Sequence, residues 1–228
     1  MKSNLISVTD PRAGATEQYR ILRTNLQFMK VEEKIKKIVV TSTRPSEGKT
    51  TIAGNLGATL AMAGSKVVIV DCDLRKPSIQ KLFNKTSSRG LTNYFTGDDK
   101  DIEKLIQNTE VEGLSIVTSG PIPPNPSELL TSLKMKEFIS RISEDFDYVI
   151  LDSPPSAAIT DAAVLSTYCD SVIYVCASGQ ISRGEAKKSI DAFRNIYKGT
   201  FGVVLNKIPS GQSRYGSYDY YTYGDKEE

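Results

Sequence analysis

Residues 38–57 read IVVTSTRPSEGKTTIAGNLG. The apolar run over 35–42 has the character of a strand. A turn-rich segment follows, and Gly48-Lys49-Thr50-Thr51 then opens a helical stretch from about 49 to 63, stopped by Gly64. A strand that runs through such a loop into a helix leaves free backbone N–H groups and the positive end of a helix dipole, which together favour bound phosphate. In that arrangement Lys49 reaches the β- and γ-phosphates of a nucleotide and the Thr50 hydroxyl holds Mg²⁺. Arg44, Pro45, Ser46, Glu47, Gly48, Lys49, Thr50 and Thr51 are the candidate nucleotide contacts. Thr43 occupies the position where the usual G-x-x-x-x-G-K-[ST] pattern has its first glycine.

Two more strands end in aspartate: VVIVD over 67–71, followed by Cys72 and Asp73, and YVILD over 148–152. In a parallel sheet, ligands sit beyond the carboxyl ends of the strands. Asp71, Asp73 and Asp152 therefore converge on whatever the Lys49 loop binds. Carboxylates in that place hold Mg²⁺ or orient and deprotonate a nucleophile. Arg75 follows the acidic pair and either neutralises phosphate charge or is simply solvated.

Further strands are expected over 66–71, 114–119, 148–152, 171–176 and 202–206. Helices are expected over 101–107, 134–143, 161–168 and 182–197. The unbroken apolar strands indicate burial on both faces. Strands alternating with helices predict an α/β fold, a doubly wound and mostly parallel sheet flanked by helices. Residues 1–14 read as extended, ending at the Asp10-Pro11 turn. From Thr16 a helix carries Tyr19, Leu22, Leu26 and Met29 on one stripe, with Glu17, Arg20 and Arg23 on a neighbouring face. By spacing alone that polar triplet is a solvated face with an i,i+3 ion pair. Residues 119–128, SGPIPPNPSE, form a proline-rich connection. Aliphatic residues vanish after Ile208, so residues 1–207 read as one domain and 208–228 as a flexible tail.

Composition narrows the chemistry. The chain has 228 residues, 39% hydrophobic and 25% charged, with a net charge of +2 and no histidine. The missing histidine excludes Ser-His-Asp and Cys-His catalysis and leaves proton transfer to carboxylates, Lys, Tyr or Cys. The near balance of charge argues against a nucleic-acid partner. Three cysteines, Cys72, Cys169 and Cys176, with no CxxC, read as reduced core thiols and suit a cytoplasmic protein. The sequence carries no signal-peptide pattern and no membrane-length apolar run.

EGKTT at 47–51, IVDCDLRKP at 69–77, VILDSPP at 149–155, SGPIPPNPSELL at 119–130 and a tyrosine-rich C-terminus together resemble the bacterial tyrosine kinases. These are cytoplasmic, capsule- and exopolysaccharide-type kinases of Firmicutes, with a P-loop NTPase fold of the MinD/ParA-like group. The resemblance covers nearly the whole chain. It implies an ATP- and Mg²⁺-dependent protein-tyrosine kinase that autophosphorylates Tyr215, Tyr218, Tyr220, Tyr221 and Tyr223 in trans and regulates capsule or exopolysaccharide synthesis and export. It implies that Lys49, Asp71, Asp73, Asp152 and Arg75 serve catalysis and that Thr50, Asp71 and Asp152 serve the metal. Either Asp71 or Asp73 takes the tyrosine proton.

The resemblance also turns Glu17, Arg20 and Arg23 into an E-x-x-R-x-x-R motif that joins copies into a ring. It places an adenine contact at Asn206. It implies a membrane activator of the polysaccharide co-polymerase type that recruits the kinase to the inner face of the membrane, and other protein substrates besides the chain itself. In related septum-site and partition ATPases a lysine at the position of Arg44 reaches a neighbour's nucleotide. The family loop usually reads P-G-E-G-K. Ser46 replaces its glycine, so a left-handed backbone there is strained by about 1 kcal/mol or more. Five phosphates on the tail would add roughly −8 to −10 charges, enough to loosen an assembly that shares tails. Two other readings compete with the kinase: a partition- or septum-site-type ATPase switch, and a nucleotide-bound scaffold with weak chemistry.

Overall fold

The computed structural model describes residues 4–29, 34–97, 101–156 and 160–209. The tyrosine cluster at 215–223 lies outside the described residues. In chain order the elements are α1 (Ile6–Thr9), α2 (Gly14–Phe28), β1 (Lys37–Ser42), α3 (Lys49–Met62), β2 (Val67–Asp71), α4 (Ile79–Leu82) and α5 (Leu91–Thr96). A 3₁₀ turn at Ile102–Leu105 follows, then β3 (Gln107–Asn108), β4 (Leu114–Val117), α6 (Pro126–Leu130), α7 (Leu133–Asp145), β5 (Tyr148–Asp152), α8 (Asp161–Ser166), β6 (Ser171–Ala177), α9 (Arg183–Ile196) and β7 (Thr200–Asn206).

The strands form one sheet of order β3-β4-β2-β5-β1-β6-β7, parallel throughout except for the β3–β4 pair at one edge. The strand order reverses at β1, which lies between β5 and β6. In such sheets the crevice at this reversal is where ligands bind. Strands β2, β5 and β6 are buried along their whole lengths, as their unbroken apolar runs predict. Side chains alternate between two cores. Val39, Val68, Val149 and Leu151 face α5 to α9, through residues such as Phe138 and Leu165. Ile38, Val40, Ile69 and Ile150 face α3, through Leu56 and Leu60.

Helix α3 is apolar almost all round, because the sheet covers one side and α1, α2 and α4 cover the other. Its Gly57 permits this closeness, since a Cβ there would press on the Ile69 side chain.

The doubly wound sheet expected from the sequence is present, with edges that shift by at most two residues. Residues 1–14 are corrected in part. Residues 6–9 are a helical turn, because Leu5 is fully buried and Ser7 donates both its N–H and its hydroxyl to Asn55 Oδ1, at 3.0 and 2.8 Å. These tertiary contacts with α3 impose a fold that local propensity does not announce. The helix expected from Thr16 starts at Gly14. The expected helix over 101–107 is only the 3₁₀ turn, and Gln107 already pairs in β3. The proline-rich connection ends sooner than expected, because Pro126 starts α6 from the first helical position that proline tolerates. All three cysteines are unpaired. Among the described residues no helix is long and apolar enough to cross a membrane.

Candidate active site

The site is built on the carboxyl ends of β1, β2 and β5, which are adjacent in the sheet. The loop from β1 to α3 is forced into two left-handed positions: Ser46 at φ 65° and Gly48 at φ 99°. Ser46 therefore carries the strain expected of a missing glycine. Gly48 has a second reason to lack a side chain, because a Cβ there would overlap Asn206 Nδ2. Among the described residues no side chain caps the N-terminus of α3, which leaves its first N–H groups for an anion.

The loop is braced from behind. Glu47 is fully buried, and its carboxylate accepts from Arg44 N–H at 2.6 Å and from Ala177 N–H at 3.1 Å. Asn206 Nδ2 donates to the Glu47 carbonyl at 2.8 Å, and Lys207 Nζ donates to the Ser46 carbonyl at 2.7 Å. The ends of β6 and β7 thus hold the loop in shape. Thr43, in place of the usual glycine, is buried with its hydroxyl 3.1 Å from the Tyr174 hydroxyl, which also meets Ser156 and Ser189.

In front of the loop, Lys49 Nζ donates to Asp73 Oδ2 at 3.0 Å, with both side chains nearly buried. Burial pulls the Lys49 pKa down, but Asp152, Asp73 and Asp71 outweigh it and hold it above its ordinary value. Thr50 Oγ1 donates to Asp152 Oδ2 at 2.6 Å and lies 2.9 Å from Ser78 Oγ. Asp71 is wired into the backbone: Oδ1 accepts from Asp73 N–H at 3.1 Å, and Oδ2 accepts from Ser78 and Ile79 N–H at 2.9 Å each. These bonds shape the turn between β2 and α4.

Burial pushes Asp71 up to about 7, Asp152 adds to this, and the N–H groups of Ile79 and Ser78 oppose it. Burial likewise raises Asp152 to about 6, against the pull of Lys49 and Thr50. Three buried carboxylates facing one lysine are short of positive charge. Asp152 Oδ1 is buried and accepts no hydrogen bond among the described residues. A divalent cation answers both deficits. The oxygen-only donor set, the Thr50 hydroxyl and the Asp152 carboxylate, suits Mg²⁺.

Other expected residues lie further out. Arg44 Nε pairs with Glu185 Oε1 at 2.6 Å, on α9 of the same chain. Pro45 and Ser46 are exposed at the loop tip, and Thr51 is exposed in the first turn of α3. Arg75 Nη2 donates to Ser127 Oγ at 2.8 Å. On α2, Arg20 pairs with Glu17 at 2.9 Å, whereas Arg23 Nη1 donates to the Thr59 carbonyl at 3.0 Å and caps the last turn of α3. The triplet therefore divides between the surface and the interior of the chain.

The sequence does not mark Ser78 as a site residue, and it places Glu47 among ligand contacts although its side chain points into the protein. The only local signal for Ser78 is its place just before a short helix.

A model of the AAA domain family matches residues 35–200. The chain is 38% identical over 219 residues to the tyrosine-protein kinase YwqD of Bacillus subtilis, covering 96% of this chain and 92% of that protein. Its fold matches the chimerical protein CapA2B2 with TM-score 0.86 at 37% identity, over 90% of each chain. It matches the kinase domain of the Escherichia coli tyrosine kinase ETK with TM-score 0.87 at 31% identity, over 96% of this chain and 86% of that one. The septum site-determining protein MinD of Pyrococcus horikoshii shares the fold, with TM-score 0.63 at 21% identity over 75% of this chain and 69% of that one.

Proposed function

The chain belongs to the bacterial family of tyrosine-protein kinases, and we propose that it transfers the γ-phosphoryl group of ATP to tyrosine hydroxyls, first those of its own C-terminal segment. The observation that carries this is the pocket in which Lys49, Thr50, Asp71, Asp73 and Asp152 meet in front of a braced phosphate loop.

Thr50 and Asp152 would hold Mg²⁺, which when bound neutralises phosphate charge. Lys49 leaves Asp73 to meet the β- and γ-phosphates. The loop's backbone N–H groups, held in place by Glu47, orient the same phosphates, so little reorganisation accompanies transfer. The remaining task is the proton of the phenol, whose pKa is near 10 in water. The base is Asp71 or Asp73: Asp73 is released when Lys49 turns to the phosphates, and burial pushes the Asp71 carboxyl up to about 7, close to working pH. Asn206 stands at the loop, where it can also face an adenine.

The same reading takes residues 1–207 as the kinase domain and 208–228 as the substrate tail, with Tyr215, Tyr218, Tyr220, Tyr221 and Tyr223 modified in trans within a ring. The Glu17–Arg20 pair on the surface of α2 is available to a neighbouring copy. Arg23 contributes by fixing α2 on α3. A membrane activator recruits the kinase to the inner face of the membrane, other proteins are also substrates, and the output is control of capsule or exopolysaccharide synthesis. Phosphorylated tails repel one another, so unphosphorylated protein assembles and phosphorylated protein separates. Equal masses by light scattering before and after phosphatase treatment would contradict that last step.

The deciding experiment is incubation with labelled ATP and Mg²⁺ followed by phosphotyrosine mapping. The expected result is label within residues 215–223, lost in Lys49→Met and Asp71→Ala. Phosphate release without labelled protein would instead indicate an ATPase switch of the septum-site type, and neither product would indicate a scaffold. Asp73→Asn abolishing transfer while Asp71→Asn retains it would assign the base to Asp73, and the reverse pattern would assign it to Asp71.

A further inference from the structure

Asp161 is a buried carboxylate that the phosphate pocket does not use. It opens α8, on the connection that leaves β5 at Asp152, and it is 1% exposed. Neither of its oxygens accepts a hydrogen bond among the described residues. Buried charges in that condition are costly and call for an explanation. The cation beside it is Arg75, whose Nε lies 3.8 Å from Asp161 Oδ2. The other end of the same guanidinium is held by Ser127 on α6, where the proline-rich connection ends.

Arg75 is thus bounded by two elements that come from distant parts of the chain. It follows Asp73, the partner of Lys49, by two residues. At its present separation the Arg75–Asp161 pair is an ion pair without a hydrogen bond, and an approach of about 1 Å would make it a charge-assisted one. Lysine would not serve here, because only a planar fork can meet Ser127 with one nitrogen and Asp161 with another.

We propose that Asp161 is a positioning residue that holds the Arg75 guanidinium against Ser127, two residues along the chain from Asp73, so that it meets the phosphoryl group in transfer. This rests on the kinase reading above. It also gives the SGPIPPNPSELL segment a task, since that segment delivers Ser127.

The test compares wild type, Asp161→Asn, Arg75→Ala and the double variant by rate of phosphotyrosine formation and by KM for ATP, with thermal melting to establish folding. Asp161→Asn is expected to slow transfer about tenfold or more, the size of a misplaced group, with KM for ATP changed by less than about twofold. In the Arg75→Ala background the same change is expected to add less than about twofold. A second readout needs no activity: phenylglyoxal modification of Arg75, mapped by peptide mass spectrometry, should be severalfold faster in Asp161→Asn. If that variant does not fold, Asp161→Ser is read in the same way. An equal loss in both backgrounds, or an unchanged reactivity of Arg75, overturns the proposal. Wild type that forms no phosphotyrosine would overturn the kinase reading instead, while the reactivity of Arg75 would still decide the role of Asp161.

Discussion

Lys49 Nζ donates to Asp73 Oδ2 at 3.0 Å, and this pair sets a nearly buried lysine on a carboxylate that, on the kinase reading, a phosphate displaces. Asp71 and Asp152 share its charge without touching it directly. Lys49 therefore keeps three acidic side chains tolerable in one buried space, besides the phosphate contact proposed for it.

Lys49→Met tests both duties. Phosphotyrosine formation is expected to fall by about 10² or more, as when a preorganised donor to a transition state is lost. Thermal melting should show a second effect. With its cation removed, the carboxylate cluster is harder to ionise, so the variant loses more stability at pH 8 than at pH 5. Equal losses at both values would mean that Lys49 does not support the cluster.

The acidic pair makes nucleotide- and metal-free protein less stable as pH rises. Asp71 at about 7 and Asp152 at about 6 both lie above the ordinary 3.8. The folded state thus binds more protons than the unfolded state between those values. The associated stability is complete below about pH 4 and is lost as pH climbs through 6 to 7. Urea midpoints should fall between pH 5 and 8, and Asp71→Asn should flatten the slope. A midpoint that rises over this range would contradict the assignment.

Ser46 sits at φ 65°, a conformation that a side chain disfavours by about 1–2 kcal/mol. Ser46→Gly removes that penalty but makes the unfolded chain freer, so a net gain of about 0.5–1 kcal/mol is expected in melting experiments. ATP affinity measured by calorimetry should hold or rise. Ser46→Val, β-branched in a left-handed position, should lose both stability and affinity.

Glu47 is tested by Glu47→Gln. Two backbone N–H groups point at its two oxygens, and a glutamine amide offers one of them a donor instead of an acceptor. A buried clash of donors costs about 1–3 kcal/mol. The variant should melt earlier and bind ATP more weakly, with added Mg²⁺ failing to restore it. Unchanged binding would show that the loop holds its shape without the brace.

The phosphate loop, the strand-end aspartates and the doubly wound sheet were legible in the sequence because each is local. A buried strand must be an apolar run, a tight phosphate turn needs its glycine and lysine in order, and a helix needs its stripe. Elements too short for a period, such as α1 and β3, left no such mark. They exist because Leu5 and Ser7 find α3, and because Gln107 and Asn108 find the free edge of β4.

By itself, then, the sequence determined the architecture, the glycine-lysine loop and the three acidic candidates, and, having no histidine, it excluded a histidine base. Only the tertiary structure decided which partner each side chain takes. Arg44 turns to Glu185 on α9, Glu47 to the end of β6, Arg23 to the last turn of α3, and Arg75 to Ser127 and Asp161. The physical reason is the parallel sheet. Each crossover returns the chain to the same edge, so residues a hundred or more positions apart, such as Thr50 and Asp152, become neighbours. No local pattern records such a meeting, because neither residue's immediate sequence depends on the other.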